Sequence, residues 1–288
     1  MTLTVLLPAS LVADVPDLRQ KTAKVGIIGR TLAIFRVDRV CVYDDHEPRL
    51  ADARSEMRLI KVLLEYMETP QYLRKLLFGR MRELKYAGVL PPLRTPHHPT
   101  FSERTSRGSI REGVVLSPGK GSSLVELGLG KRGILNERLK AGTRVTVRIL
   151  KDLGDRLLVE RVSRSELKTY WGYQVFEAPS LREAVGMLRD EFVVGTSKYG
   201  KEIADVAGEL AVDAPIALVF GGPYAGLFEI CSRGGVKPEE LFDIVVNTIP
   251  DQGTETVRTE EALLASLAIL NFVRKIYYTK RQKTITGA

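Results

Sequence analysis

Hydrophobic and polar positions change rhythm three times along the chain. Residues 3–7, LTVLL, form a short continuous apolar run closed by a proline, which predicts a buried strand. The stretch 16–37, PDLRQKTAKVGIIGRTLAIFRV, mixes apolar and basic faces and predicts a helix with Pro16 at its first position. DRVCVYD (38–44) predicts a second buried strand. In residues 51–70, Leu59, Val62, Leu63, Tyr66 and Met67 recur with helical period, and Pro70 ends the helix. QYLRKLLF adds a further turn or two. Strand–helix alternation of this kind predicts an α/β layer.

The rhythm then breaks. LPPLRTPHHPTFSERTSRGS (90–109) places four prolines within nine residues, which neither helix nor strand can continue. From about residue 109 to 163 come short β-type runs between glycines: REGVVLS, SSLVELG, TRVTVRIL and RLLVERV. They predict a small barrel or sandwich, compatible with an OB-type fold. Alternation resumes at YQVFEAPSLREAVGML (173–188), so the β-rich stretch reads as an insertion. The predicted division is 1–95 and 166–288 for the α/β domain, with 96–165 as the inserted barrel. In the resumed part three strands end in unusual loops, VGTSKYG, VFGGPYAG and VNTIPDQGTETV. The last spends about twelve residues, where strand-to-helix connections usually spend two to six. Carboxyl ends of parallel strands are where such sheets bind ligands.

Charge sharpens this picture. The chain of 288 residues has a net charge of +8, and the excess is local. Residues 1–172 carry 31 Lys and Arg against 19 Asp and Glu, while residues 173–288 carry 12 against 16. Within 69–168 the count is 21 against 9, the footprint of a phosphate-backbone partner such as RNA or of a solvated basic surface. Two cysteines far apart, Cys41 and Cys231, predict buried thiols in a reducing compartment. No signal peptide is evident, and no apolar stretch approaches the roughly 18 residues that a membrane span needs. The absence of long charged tails favours a cytoplasmic protein.

Several motifs point nowhere. GLGKRG (128–133) satisfies the dinucleotide fingerprint, but at most seven helical residues follow before the next strand, too few for a βαβ crossover. Turn glycines of a barrel explain it better, and an NAD-type oxidoreductase is disfavoured. No Walker A loop is present. Three histidines, with the cysteines distant, make no metal cluster. The proline-braced loop with Arg94, His97 and His98 is a rigid polar surface, either structural or touching RNA. Gly221 and Gly222 permit close backbone approach or simply a tight turn. Thr259 is a candidate N-cap, with no complete capping box because Ala262 stands at N3. Capping leaves PDQGTETVR unexplained.

VGTS, VFGGPYAGL and NTIPDQGTETVRTEEALLASLAIL together resemble the three cofactor motifs of SPOUT-class (α/β-knot) RNA methyltransferases. RTLAIFRVDRVCVYD, LLEYMETPQYLRKLLF and PPLRTPHHP are similar to one archaeal and eukaryotic branch, which carries an OB-like domain inside the knotted domain. The resemblance covers nearly the whole chain. It implies a trefoil-knotted parallel sheet, a homodimer, no metal, and a pocket for S-adenosylmethionine. Thr196, Gly221, Gly222, Thr248, Ile249, Pro250, Gln252, Gly253, Thr254 and Val257 would hold that cofactor, largely through backbone. Arg30 is implied near the target nucleotide as a clamp or polarising group, with Arg258 and Glu255 as further catalytic candidates. A helix-surface ion pair is the plain alternative for Arg30. Arg94, His97, His98, Lys131 and Arg132 would touch RNA. The expected activity is methyl transfer to a nucleotide of rRNA or tRNA. The rival is a non-catalytic RNA-binding or ribosome-assembly protein that retains the knot.

Overall fold

The computed structural model describes residues 2–99, 106–211 and 214–286, with side chains to Tyr277. The first part of the chain supplies β1 (Leu3–Pro8), α1 (Leu18–Ile34), β2 (Arg39–Tyr43), α2 (Ala53–Glu68) and α3 (Gln71–Leu77). Five strands follow: β3 (Ile110–Pro118), β4 (Ser123–Glu126), β5 (Arg132–Leu135), β6 (Arg144–Asp152) and β7 (Arg156–Arg161). Then come β8 (Gln174–Ala178), α4 (Leu181–Gly186), β9 (Phe192–Glu202), α5 (Ile203–Val206) and β10 (Ile216–Val219). α6 (Leu227–Arg233), α7 (Pro238–Leu241), β11 (Ile244–Asn247) and the long α8 (Thr259–Thr286) complete it.

These elements fall into two compact units. The first comprises Met1–Glu65, Tyr86–Pro91 and Tyr173–Ala288; the second comprises Tyr66–Lys85 and Pro92–Gly172. The first unit holds a six-stranded sheet in the order β11-β9-β10-β1-β2-β8, and every pair is parallel. β1 and β10 are buried along their whole length, which is why LTVLL and IALV read as unbroken apolar runs rather than alternating ones. β1 leads to β2 and β8 on one side, and β10 and β9 lie on the other. The strand order therefore reverses between β1 and β10, the place where open parallel sheets leave a crevice at their carboxyl ends. Cys41 and Cys231 are buried free thiols in this core, and burial pushes both thiols up, to about 12 and about 11.

Helix α1 begins later than its sequence suggests. Asp17 is the N-cap, its Oδ1 accepting hydrogen bonds from the Arg19 and Gln20 amides at 2.8 and 2.9 Å. Pro16 thus precedes the cap rather than filling the first helical position, because the carboxylate satisfies the free amides better than an imino acid can.

In the second unit β3-β4-β5-β7-β6 close into a barrel, with β3 pairing β6 and one parallel pair, β5 with β7. Its interior is Val115, Val125, Leu127, Leu135, Val145, Val147, Ile149, Leu157 and Val159, the alternate residues of each strand. The GLGKRG stretch spans the turn from β4 into β5, as barrel glycines would. Gly128 has φ +65°, and a Cβ there would overlap the Tyr72 ring.

Candidate active site

A cavity of about 540 Å³ lies beyond the ends of β10 and β11 and against the second half of β9. VGTSKYG, expected as a loop, is strand: β9 runs on to Glu202, where Val246 and Asn247 of β11 pair with Lys201 and Glu202. The cavity floor is the turn after β10. Phe220 is held by its carbonyl, which accepts from the Tyr43 hydroxyl at 2.6 Å, and the Gly222 amide donates to the Ala225 carbonyl at 2.9 Å. A Cβ at Gly222 would overlap the Ser10 hydroxyl. That hydroxyl is not free to move: it donates to Asp45 Oδ2 at 2.6 Å, while the Ser10 amide donates to Oδ1 at 3.1 Å. Burial raises the Asp45 carboxyl, and the Ser10 bonds oppose that rise. At Gly221 a Cβ would sit 3.0 Å from the Ala225 carbonyl oxygen, so this turn is built for bare backbone.

The long third loop is self-supporting. Asn247 Oδ1 accepts from the Ile249 amide at 3.0 Å, and Gln252 Nε2 donates to the carbonyls of Thr254 and Glu255 at 2.8 and 3.0 Å. Thr254 Oγ1 donates to the Thr256 carbonyl, and Thr248 Oγ1 meets Ser266 Oγ at 2.7 Å on α8. Thr259 does not cap its own helix. Its hydroxyl donates to the Gly221 carbonyl at 3.0 Å, tying the start of α8 to the turn after β10. Glu261 instead reaches back to the Arg258 amide at 3.0 Å, so the cap stands one residue earlier than expected. The extra residues of this loop form a wall.

Thr196, Gly221, Gly222, Thr248, Ile249, Gln252 and Val257 all line this one cavity, together with Glu255 and Arg258. The Thr196 hydroxyl faces the sheet, donating to the Val219 carbonyl at 2.8 Å. Pro250, Gly253 and Thr254 belong to the same loop but do not line the cavity. A Cβ at Gly253 meets nothing within 4 Å. Arg30 also lies off the cavity, half-buried on α1 between the exposed Ile27 and Ile34. Asp14, Lys198, Tyr199, Tyr224 and Phe228 line the cavity without having been singled out from sequence. Asp14 follows β1, more than 180 residues before the other wall, and only the sheet order brings it there. It pairs with the buried Lys24 at 2.7 Å, and Lys24 also meets Glu260 at 3.1 Å.

Arg94, His97, His98, Lys131 and Arg132 belong to the second unit. Arg94 is exposed with φ +53°, Arg132 is exposed, and Lys131 pairs with Asp152. His97 is buried. Its Nε2 lies 2.9 Å from the Glu68 carbonyl and 3.1 Å from Glu68 Oε1, and His98 Nε2 lies 2.7 Å from the same carbonyl. Arg144 spans Glu68 and Glu112, and Trp171 Nε1 donates to Glu112 at 2.6 Å. Burial alone would raise the Glu68 carboxyl, but His97 and the Arg144 guanidinium outweigh it and hold the group below its ordinary value. Burial pushes His98 down, from 6.5 to about 4, with His97 adding to the effect.

The sign of the pH dependence follows. Between pH 6.5 and about 4 the unfolded His98 binds a proton that the folded one refuses, so stability is full above 6.5 and falls with pH through that window. The loss should reach roughly 3 kcal/mol, and Glu68 adds to it below its unfolded value. Urea unfolding followed by fluorescence of Trp171, the one tryptophan, should show that slope, and His98→Asn should flatten it.

Among the described residues no three His, Cys, Asp or Glu side chains gather as a metal site would need, and no helix is long and apolar enough to cross a membrane. Residues 2–270 match the model of a family described as "putative RNA methyltransferase". A human protein named 28S rRNA (uridine-N(3))-methyltransferase is 34% identical over 93% of this chain and 77% of its own length. A Drosophila melanogaster protein of the same name is 33% identical over 93% of this chain and 61% of its own. An uncharacterized protein of Haloarcula marismortui is 34% identical, covering 94% of this chain and 99% of itself.

Proposed function

The chain belongs to the "putative RNA methyltransferase" family, and from that premise we propose that it methylates N3 of a uridine in large-subunit rRNA, with S-adenosylmethionine as donor. One observation carries the reading: the second half of β9 and the loops that follow β10 and β11, separate in sequence, converge on a single cavity walled by bare backbone at Gly221 and Gly222. A cavity of about 540 Å³ is of the size small-molecule sites have. Its glycines, its apolar Phe220 and Val257, and its backbone amides and carbonyls suit an adenosine-bearing ligand.

The cofactor, when bound, supplies an activated methyl on a sulfonium. This chain's residues hold acceptor and donor in line in a partly enclosed site, where alignment alone lowers the barrier substantially. N3 of uridine carries a proton that must leave as the N–C bond forms. We assign Glu255 to receive it. Of the other carboxylates at the cavity, Asp14 is engaged by Lys24, and Glu229 accepts from the Gly226 amide at 2.9 Å. Arg258, which also lines the cavity, would orient the nucleotide. The knot belongs to the same reading: β11 lies outside β9, yet α8 starts bonded to Gly221 after β10. So does the homodimer, for which α1 and α8, packed together, offer Ile27, Ile34, Leu264 and Phe272 exposed. The basic barrel would recruit RNA, through Arg94, Lys131 and Arg132 on its surface.

Incubation with unmodified large-subunit rRNA and methyl-labelled S-adenosylmethionine, followed by nucleoside mass spectrometry, tests the activity. Labelled N3-methyluridine is expected. Label on ribose or on another base would refute the assignment of the acceptor atom.

A further inference from the structure

The cavity rim carries aromatic rings that stand partly or mostly in solvent. Tyr199, in the second half of β9, is 74% exposed, the highest value among the large hydrophobic side chains described. Phe228, on α6 across the rim, is 37% exposed, and the two rings meet edge to face with centroids 6.4 Å apart. Lys198 Nζ lies 5.2 Å from the Tyr199 ring centroid and donates to the Glu255 carbonyl at 3.2 Å. Elsewhere on the rim the Arg49 guanidinium stacks 4.6 Å from the Tyr224 ring, whose hydroxyl donates to the Ala13 carbonyl at 3.0 Å. Both rim aromatics with cations therefore border the cavity we assign to the methyl donor.

Leaving a tyrosine ring three-quarters in water forgoes the burial that would otherwise stabilise the fold. A ring with a cation beside it, facing solvent next to a reactive cavity, fits one kind of occupant best. We propose that Tyr199 and Phe228 form a stacking platform for an unstacked base of the RNA substrate, with Lys198 meeting the adjoining phosphate. The proposal rests on the methyltransferase reading, since it places the acceptor nucleotide within reach of the cavity. A base has a π-face and a phosphate has charge; aromatic rings interleaved with cations match both. The exposed Ile27 and Ile34 of α1 and Leu264 of α8 are aliphatic and fit a protein partner instead. An acceptor atom inside a helix stack cannot be reached, so an enzyme acting on it must hold the nucleotide splayed out.

Tyr199→Ala and Tyr199→Phe separate the possibilities, read by binding of a short uridine-rich single-stranded oligoribonucleotide at fixed salt. Stacking on one aromatic ring corresponds to roughly a tenfold change in affinity. Tyr199→Ala should weaken the oligonucleotide about that much, Tyr199→Phe should restore it, any change in S-adenosylhomocysteine affinity should be several-fold smaller, and the dimer mass should stay as in the wild type. Unchanged oligonucleotide affinity in Tyr199→Ala, or no oligonucleotide binding by the wild type, overturns the platform. Parallel loss of S-adenosylhomocysteine binding would assign the ring to the cofactor, and a shift to monomer would assign it to a second copy; either overturns the proposal. A wild type that binds the oligonucleotide through Tyr199 but never S-adenosylhomocysteine removes the methyltransferase reading and leaves the platform standing.

Discussion

Replacing Arg144 with alanine is expected to cost the barrel unit about 3–5 kcal/mol. The guanidinium sits between Glu68 and Glu112, whose side chains are nearly inaccessible. Removing it leaves two carboxylates facing each other in the interior with hydroxyl, indole and imidazole donors alone. Breaking a buried pair by deleting one partner is far costlier than never having built it. Chemical denaturation followed through Trp171, itself bonded to Glu112, reports on this unit directly. A loss under about 1 kcal/mol would show that solvent or rearrangement compensates, and that the network is a surface pair in energetic terms.

This expectation also redefines PPLRTPHHP. Its prolines and histidines, which the sequence left open between a structural and an RNA-facing role, lead into a buried network around Glu68, and His97 has no exposed face. The motif's first job is to complete the barrel unit.

The second large effect concerns Arg30. It lies off the cavity of its own chain, on the helix that carries exposed Ile27 and Ile34. The proposed dimer would bring it to the partner's cavity. Arg30→Ala should therefore be nearly inactive. So should Gly226→Val, which adds a branched side chain at a cavity-lining position where a Cβ meets nothing within 4 Å. Mixing the two after co-refolding should restore activity to about a quarter of wild type, because half the dimers are mixed and each of those holds one intact site. If the mixture stays as inactive as its parts, Arg30 acts within its own chain or only braces α1.

Much of the fold was legible because burial on both faces writes itself as unbroken apolar runs: LTVLL, CVY and IALV are β1, β2 and β10. The loops after β10 and β11 were legible for the opposite reason, as more backbone than a connection needs, whereas VGTSKYG, read as a third loop, lies within β9. β5 was not seen. RGIL is four residues with a glycine, too short to show a period, and its strand character comes from pairing with β4 and β7. The Thr259 cap failed because the nearest acceptor, the Gly221 carbonyl, is 38 residues away. His97 illustrates a general limit. A histidine in a polar loop looks exposed until Glu68, 29 residues earlier, is seen beneath it. Asp14 was missed at the cavity for the same reason, since which loops meet depends on strand order and not on any local pattern. Tyr199 stood in VGTSKYG and was passed over in favour of Thr196.

Calorimetric titration of the purified protein with S-adenosylhomocysteine tests the central claim most directly. One site per chain in the micromolar range is predicted, lost in Gly226→Val while that variant keeps its unfolding transition. A folded wild-type protein that takes up no S-adenosylhomocysteine, alone or with rRNA present, would contradict the account and leave an RNA-binding protein without methyl transfer.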